Sequence, residues 1–356
     1  MDDKILREIR IDPIVPTKSV LISTARGQRP HQEENSLSRD LREYVETCPF
    51  CRGNEHQTPP ASFQAPAVGE WDIRIVENLY PILGDDHLLP GLPPGMQQTI
   101  AGYGNHEVII DHPNHGIALY QMSDQHLALL FDVYRDRMQT LYEKDPRIKY
   151  VLVFKNFGKA AGASIPHSHS QIIAMPIVPH NVQSEVQWSF SYYQKTETCI
   201  FCALIDEALS LETTTYNRKS GEISQDYETA KYVIDQSEQF IAIKPFASRY
   251  EWEVHILPKS HQSNFMESTH DTLADLAKIL RRIMLRLKAV IGEIQYNYFL
   301  HSVPYVNSSN EFANSFHWHI EICPRTSIPT GFELGSGLFV NTISPEIAAY
   351  KLQQAL

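Results

Sequence analysis

The sequence predicts an α+β protein made of two similar units, and three observations carry that expectation. At 356 residues the chain is too long for one small module, and length suggests about two domains. A Cys-x-x-Cys pair occurs twice, as Cys48-Pro-Phe-Cys51 and as Cys199-Ile-Phe-Cys202. After each pair the same order of strand-like and helix-like segments follows, which is the mark of an internal repeat.

Taken in order, the first half offers DIRIVENLYP, HEVIIDHPNH, a helix, KYVLVFKNFG and HSHSQIIAMP. The second offers EQFIAIKPFA, WEVHILPKSH, a helix, YNYFLHSVP and HWHIEICP. The strand segments alternate or run apolar and are rich in Val, Ile, Tyr and Phe, as half-buried antiparallel strands require. The first helix is expected to open at Ser123, a good N-cap, and to line up Leu127, Leu130, Tyr134, Met138 and Leu141 on one face. The second opens near Ser268 or Thr269 and lines up Leu273, Leu276, Leu280, Ile283 and Leu287 in the same way. The units are placed at 1–185 and 186–356, with a linker within 180–198.

Composition narrows the function classes. Hydrophobic residues at 42% and charged residues at 21% are ordinary for a folded chain and argue against disorder. The formal net charge is −11 and no basic run stands out, so nucleic acid is not an expected partner. No apolar run is long enough for a membrane span. The charged start MDDKILREIRIDP is unlike a signal peptide, so a cytoplasmic setting is expected. There, paired thiols read as metal binding or redox chemistry rather than as disulfides.

The repeat locates candidate metal ligands. His115 and His261 each end a strand in a similar turn (HPNH and PKSH), and His167 and His317 each begin a His-x-His. Two thiolates and two imidazoles suit zinc in a closed tetrahedral site. One set is therefore Cys48, Cys51, His115 and His167. The second is Cys199, Cys202, His261 and His317, for which Glu185, His301 and His319 offer an alternative ligand set.

The segment suited to chemistry is NFGKAAGASIPHSHSQ, residues 156–171. In a strand His167 and His169 share a face, so a metal on the first leaves the second as a free imidazole. Such an imidazole can attack phosphorus and hold the group for a second acceptor. Gly158, Gly162 and Ser164 let backbone N–H groups approach a phosphate, although no Walker-type Gly-Lys-Ser/Thr is present. Gln171 falls on the face of His169 and can donate its amide to a phosphate oxygen.

These residues resemble the galactose-1-phosphate uridylyltransferase family of the histidine-triad superfamily, including its branch active on ADP-glucose. The resemblance runs over nearly the whole chain: RIDPI, ARGQRP, CPFC, RIVENLYP, HPNH, VFKNFGKAAGASIPHSHSQ, CIFC, PKSH, FHWHIEICP and GFELGSG. It implies two histidine-triad-like units, zinc, and a nucleotidyltransferase acting through a covalent nucleotidyl-histidine. It implies that His167 binds zinc, that His169 is the nucleophile, and that Gln171 stabilises the covalent nucleotide. Asn78, Asn156, Gly162 and Ser164 match substrate-contacting positions. Arg26 and Arg29 match arginines that reach a partner subunit's site in a homodimer. The substrates implied are a nucleotide sugar such as UDP-glucose and a hexose 1-phosphate, as in galactose metabolism; the alternative is an ADP-sugar with inorganic phosphate. His-Ser-His in place of His-Pro-His, and LGSG after Gly331-Phe332-Glu333, set this chain apart from the galactose enzymes. Two rivals are a histidine-triad nucleotide hydrolase and a zinc-stapled binding protein without catalysis.

Overall fold

The computed structural model describes residues 6–28, 39–84, 95–96, 98–210, 215–216, 223–224, 232–305 and 312–356. Arg29 lies outside them. The first half supplies strands β1 (Arg7–Ile11), β2 (Ser19–Ser23), β3 (Ala61–Ala65), β4 (Ile73–Glu77), β5 (Asn105–Ile110), β6 (Tyr150–Phe157) and β7 (His169–Met175). A short ribbon, β8 (Thr215–Tyr216) and β9 (Ile223–Ser224), precedes β10 (Val233–Gln236), β11 (Phe240–Ile243) and β12 (Val254–Pro258). Then come β13 (Tyr296–His301), β14 (His319–Pro324) and β15 (Phe339–Asn341).

Ten of these strands form one antiparallel sheet in the order β10-β11-β12-β14-β13-β6-β7-β5-β4-β3. Read outward from the β6–β13 seam, both arms take their strands in the same chain order. At the seam Asn297 stands directly opposite Asn156. The antiparallel α+β class expected from the sequence is what the chain adopts.

One face of the sheet is covered by α1 (Asp124–Lys144) and α4 (His270–Ile291). Ser123 caps α1 by accepting from the His126 N–H, and Thr269 caps α4 by accepting from the Thr272 N–H. The leucine stripes of both helices are buried in one core with Val153, Ile172, Ile256 and Ile320 from the two arms. Truncating such a leucine costs about 2–5 kcal/mol. The opposite face carries two smaller apolar clusters, one around Ile241 and Leu257 and one around Val108 and Ile110, and presents polar side chains as well.

The stretch expected to be a linker contains the helix α2 (His180–Thr196), followed by α3 (Ile200–Ser210). Val182, Glu185, Val186 and Ser189 form the buried side of α2. A small sheet, β1-β2-β15, ties the two ends of the described chain together, next to the short helices α5 (Gly331–Ser336) and α6 (Pro345–Gln353).

Candidate active site

The first cysteine pair, on a turn before β3, is brought under the ends of β5 and β7. The Cys51 sulfur is 3.5 Å from His115 Nδ1 and 3.6 Å from His167 Nδ1, and the Cys48 sulfur is 3.6 Å from His167 Nδ1. All four ligand atoms lie within 4.8 Å of one another and all four residues are buried. His167 Nε2–H donates to the His112 carbonyl at 2.7 Å, so its Nδ1 lone pair faces the sulfurs. Burial pushes the Cys48 thiol up to about 11. A buried thiol that resists ionising alone is one that a bound cation would ionise. The donor set, its burial and its tautomer all fit a metal ion.

The second pair repeats this geometry at the start of α3. The Cys202 sulfur is 3.4 Å from His261 Nδ1 and 3.6 Å from His317 Nδ1, and Cys199 completes the group. His261 and His317 turn Nε2 to the carbonyls of Ala313 and Pro258, each at 2.8 Å. This group is more open, since His261 is exposed. Glu185, His301 and His319 form a separate buried cluster, with His301 Nδ1 2.9 Å from a Glu185 oxygen.

His167 precedes the first residue of β7, whereas His169 begins the strand. The two rings therefore part company. His169 Nδ1–H donates to the His167 carbonyl at 2.7 Å, which leaves Nε2 as the unprotonated nitrogen. The ring is buried, with Phe50 edge-on at 5.2 Å between centroids. Burial lowers its pKa below the ordinary 6.5, and the Lys155 charge adds to this, so the imidazole stays neutral. Lys155, fully buried, donates to the His169 carbonyl and to Ser168 Oγ, both at 2.9 Å, and pairs with Asp111.

Register places the remaining groups. Phe154 pairs with Gln171 and Val108 pairs with Gln171, so Asn156, His106, Gln171 and His169 share the face opposite α1 and α4. Asn78, one residue beyond β4, accepts from the Tyr80 N–H through Oδ1 and lies against His106, its Nδ2 3.2 Å from His106 Nε2. Gly158 (φ 86°) and Gly162 (φ 86°) bracket a single 3-10 turn, Lys159–Ala161. Gly162 and Ser164 are exposed at its rim. A Cβ on Gly158 would strike the Gln295 side chain, whose Oε1 accepts from the Ala160 N–H at 2.6 Å. We expect Gly158→Ala to displace Gln295 and to cost about 1–3 kcal/mol for the positive φ; a melting curve matching the wild type would contradict this.

Arg26 is placed on the small-sheet side, in a 3-10 turn (Thr24–Gln28) where its charge acts on Glu333. Three groups at the site were not anticipated: His106, Asn297 and the Lys155–Asp111 pair. The only sequence signal for them was parity along strands whose register was unknown.

A free imidazole nitrogen beside a two-cysteine, two-histidine group, with amides and a glycine-bracketed turn on the same sheet face, suits nucleotidyl transfer, and the relatives of this chain are nucleotidyltransferases. A family model for the N-terminal domain of galactose-1-phosphate uridyl transferase matches residues 1–179. ADP-glucose phosphorylase of Arabidopsis thaliana is 31% identical, over 98% of this chain and 92% of that one. Galactose-1-phosphate uridylyltransferase of Thermotoga maritima is 27% identical, over 98% of each. The crystal structure of the Arabidopsis phosphorylase with bound ADP-glucose superposes with a TM-score of 0.79 at 30% identity, covering 99% of this chain and 100% of that one. The chain belongs to the galactose-1-phosphate uridylyltransferase family.

Proposed function

We propose that this enzyme passes a nucleotidyl group from a nucleotide sugar to a phosphate-bearing acceptor through His169. The observation that carries the reading is the hydrogen bond from His169 Nδ1 to the His167 carbonyl, which leaves Nε2 as the ring nitrogen with a free lone pair. In the first step Nε2 attacks the α-phosphorus, a P–N bond forms, and the bond to the departing sugar 1-phosphate breaks. In the second an acceptor phosphate oxygen attacks the same phosphorus and frees the imidazole. Gln171, Asn78 and Asn156 offer amide N–H groups to the phosphate oxygens, and the turn holding Gly162 and Ser164 leaves room for them.

Two zinc ions suit the two Cys₂His₂ groups, where they would supply structural cross-links rather than chemistry. The first would hold His167, and with it the carbonyl that orients His169. We take residues 1–185 and 186–356 as the two units; their matching strand order supports this, although one core is shared.

For substrates we favour an ADP-sugar with inorganic phosphate, on the 31% identity to the Arabidopsis phosphorylase and the His-Ser-His segment. The second reading is UMP transfer between UDP-glucose and a hexose 1-phosphate, supported by the Thermotoga relative. A panel of ADP- and UDP-sugars with phosphate or hexose 1-phosphates, products identified by mass, tests both. Turnover with no acceptor but water would contradict them and favour a hydrolase.

Protonation of His169 removes the nucleophile, so activity is expected to fall as pH is lowered. Because burial depresses its pKa, the fall comes below 6.5; a pH–rate profile with a midpoint above that value would contradict it. We further propose a homodimer in which the arm carrying Arg26 and Arg29 reaches the partner's site, and a cytoplasmic setting. Arginine's fork suits a diphosphate. Mixing His169→Gly subunits with Arg26→Ala, Arg29→Ala subunits should restore activity in heterodimers, and no recovery after verified exchange would refute a shared site. Among the described residues no helix is long and apolar enough to cross a membrane.

A further inference from the structure

We propose that His106 and Asn297 are positioning residues that fix the amide polarity of Gln171 and Asn156, so that the site turns N–H donors toward a diphosphate. The inference rests on the reading that a nucleoside diphosphate group lies on this face. An amide side chain carries a donor at one tip and an acceptor at the other, and a free amide can turn either toward a ligand. A phosphate-binding site works only if the acceptor is kept away.

Two chains of hydrogen bonds do this, and each starts from a group that can only donate. In the first, the Ile82 backbone N–H donates to His106 Nδ1 at 3.3 Å, so that nitrogen bears no hydrogen. The hydrogen of the neutral ring then sits on Nε2 and donates to the partner 2.8 Å away, which must be Gln171 Oε1. Burial lowers the His106 pKa and keeps the ring neutral. The Gln171 NH₂ is thereby turned outward. The same ring hydrogen denies a lone pair to Asn78 Nδ2, and Asn78 Oδ1 is already taken by the Tyr80 N–H.

In the second chain Arg325, which has no acceptor, donates through Nε to Asn297 at 2.5 Å, so the atom it meets is Oδ1. Asn297 Nδ2 then donates to the Ala161 carbonyl at 2.8 Å and to Asn156 at 2.7 Å. The atom of Asn156 in that contact must be Oδ1, which leaves its NH₂ unclaimed among the described residues. Asn297 is buried, comes from the other arm of the sheet, and sits across the seam from Asn156. The second arm thus sets the donor pattern of the first arm's site.

The test measures the affinity of the full-length protein for ADP and for UDP by calorimetry, which needs no turnover. Asn297→Asp keeps the shape and the Arg325 contact but replaces a donor with an acceptor. Asn156 would then turn its NH₂ to Asp and present its oxygen to phosphate. We expect about 30–100-fold weaker binding for Asn297→Asp and about 5–10-fold for Asn297→Ala, from the strength of hydrogen bonds to charged groups. Both variants lose the bond to the buried Ala161 carbonyl, so neither should melt above the wild type, and the gap in affinity between them, rather than melting temperature, reports the turned amide. In an Asn156→Ala background, Asn297→Asp should change affinity less than about twofold, because it acts through that amide. His106→Phe should weaken binding about 10-fold alone and little in a Gln171→Ala background.

Wild-type affinity in Asn297→Asp, a full loss persisting without the Asn156 amide, or a wild type that binds neither nucleotide would overturn the proposal. If Asn297→Asp does not fold, the His106→Phe pair decides by the same criteria. Failure of the transferase reading would look different: ADP or UDP would bind in this pattern while His169 took no label from any nucleotide sugar.

Discussion

His169→Asn leaves a folded, metal-containing protein that takes up no nucleotide and turns over at least about 10⁴-fold more slowly, the scale on which a nucleophile's removal is felt. The asparagine can keep a contact to the His167 carbonyl but has no second ring nitrogen to attack phosphorus. Assays with ADP-glucose and UDP-glucose, together with a melting curve, measure both halves of the expectation. A variant that keeps wild-type turnover would remove His169 from the mechanism, whatever its place in the fold. His169→Gly should behave in the same way.

The second large effect is on stability. A protein purified without chelators is expected to carry about two zinc ions per chain by metal analysis. Cys51→Ser should lose one, because Cys51 approaches both His115 and His167. Structural zinc sites bind with about 10–16 kcal/mol, and we expect on the order of 5 kcal/mol of that to appear as lost folding stability. Loss of the first zinc should also lower activity, since His167 holds the carbonyl that orients His169. Cys202→Ser should remove the second zinc with a smaller effect, its site being partly open. A metal content of zero in active protein would contradict both sites.

The parts legible in the sequence were those whose signal is local or repeated. The leucine spacing of α1 and α4, with Ser123 and Thr269 as caps, identifies two helices because burial against a sheet demands a 3.6-residue period. The two cysteine–histidine quartets were legible because the same residue types recur at matched places, although their members lie far apart in the chain. α2 was misjudged: its many polar residues hid the spacing of Val182, Val186 and Ser189, which is helical. His106 and Asn297 could not have been found, since their roles depend on register, and register between strands is set by tertiary pairing. Two asparagines in corresponding strands were visible, but nothing in the sequence placed them opposite each other across one seam.

The most direct test of the account is a mass measurement on the wild-type protein mixed with ADP-glucose or UDP-glucose in the absence of acceptor. The account predicts a mass increase of one nucleotidyl group, mapped by peptide analysis to His169, stable to alkali and labile to acid as a phosphoramidate is. Adding phosphate or a hexose 1-phosphate should discharge it with release of a nucleoside diphosphate or nucleotide sugar. Turnover with no adduct on His169, or an adduct on another residue, would contradict it.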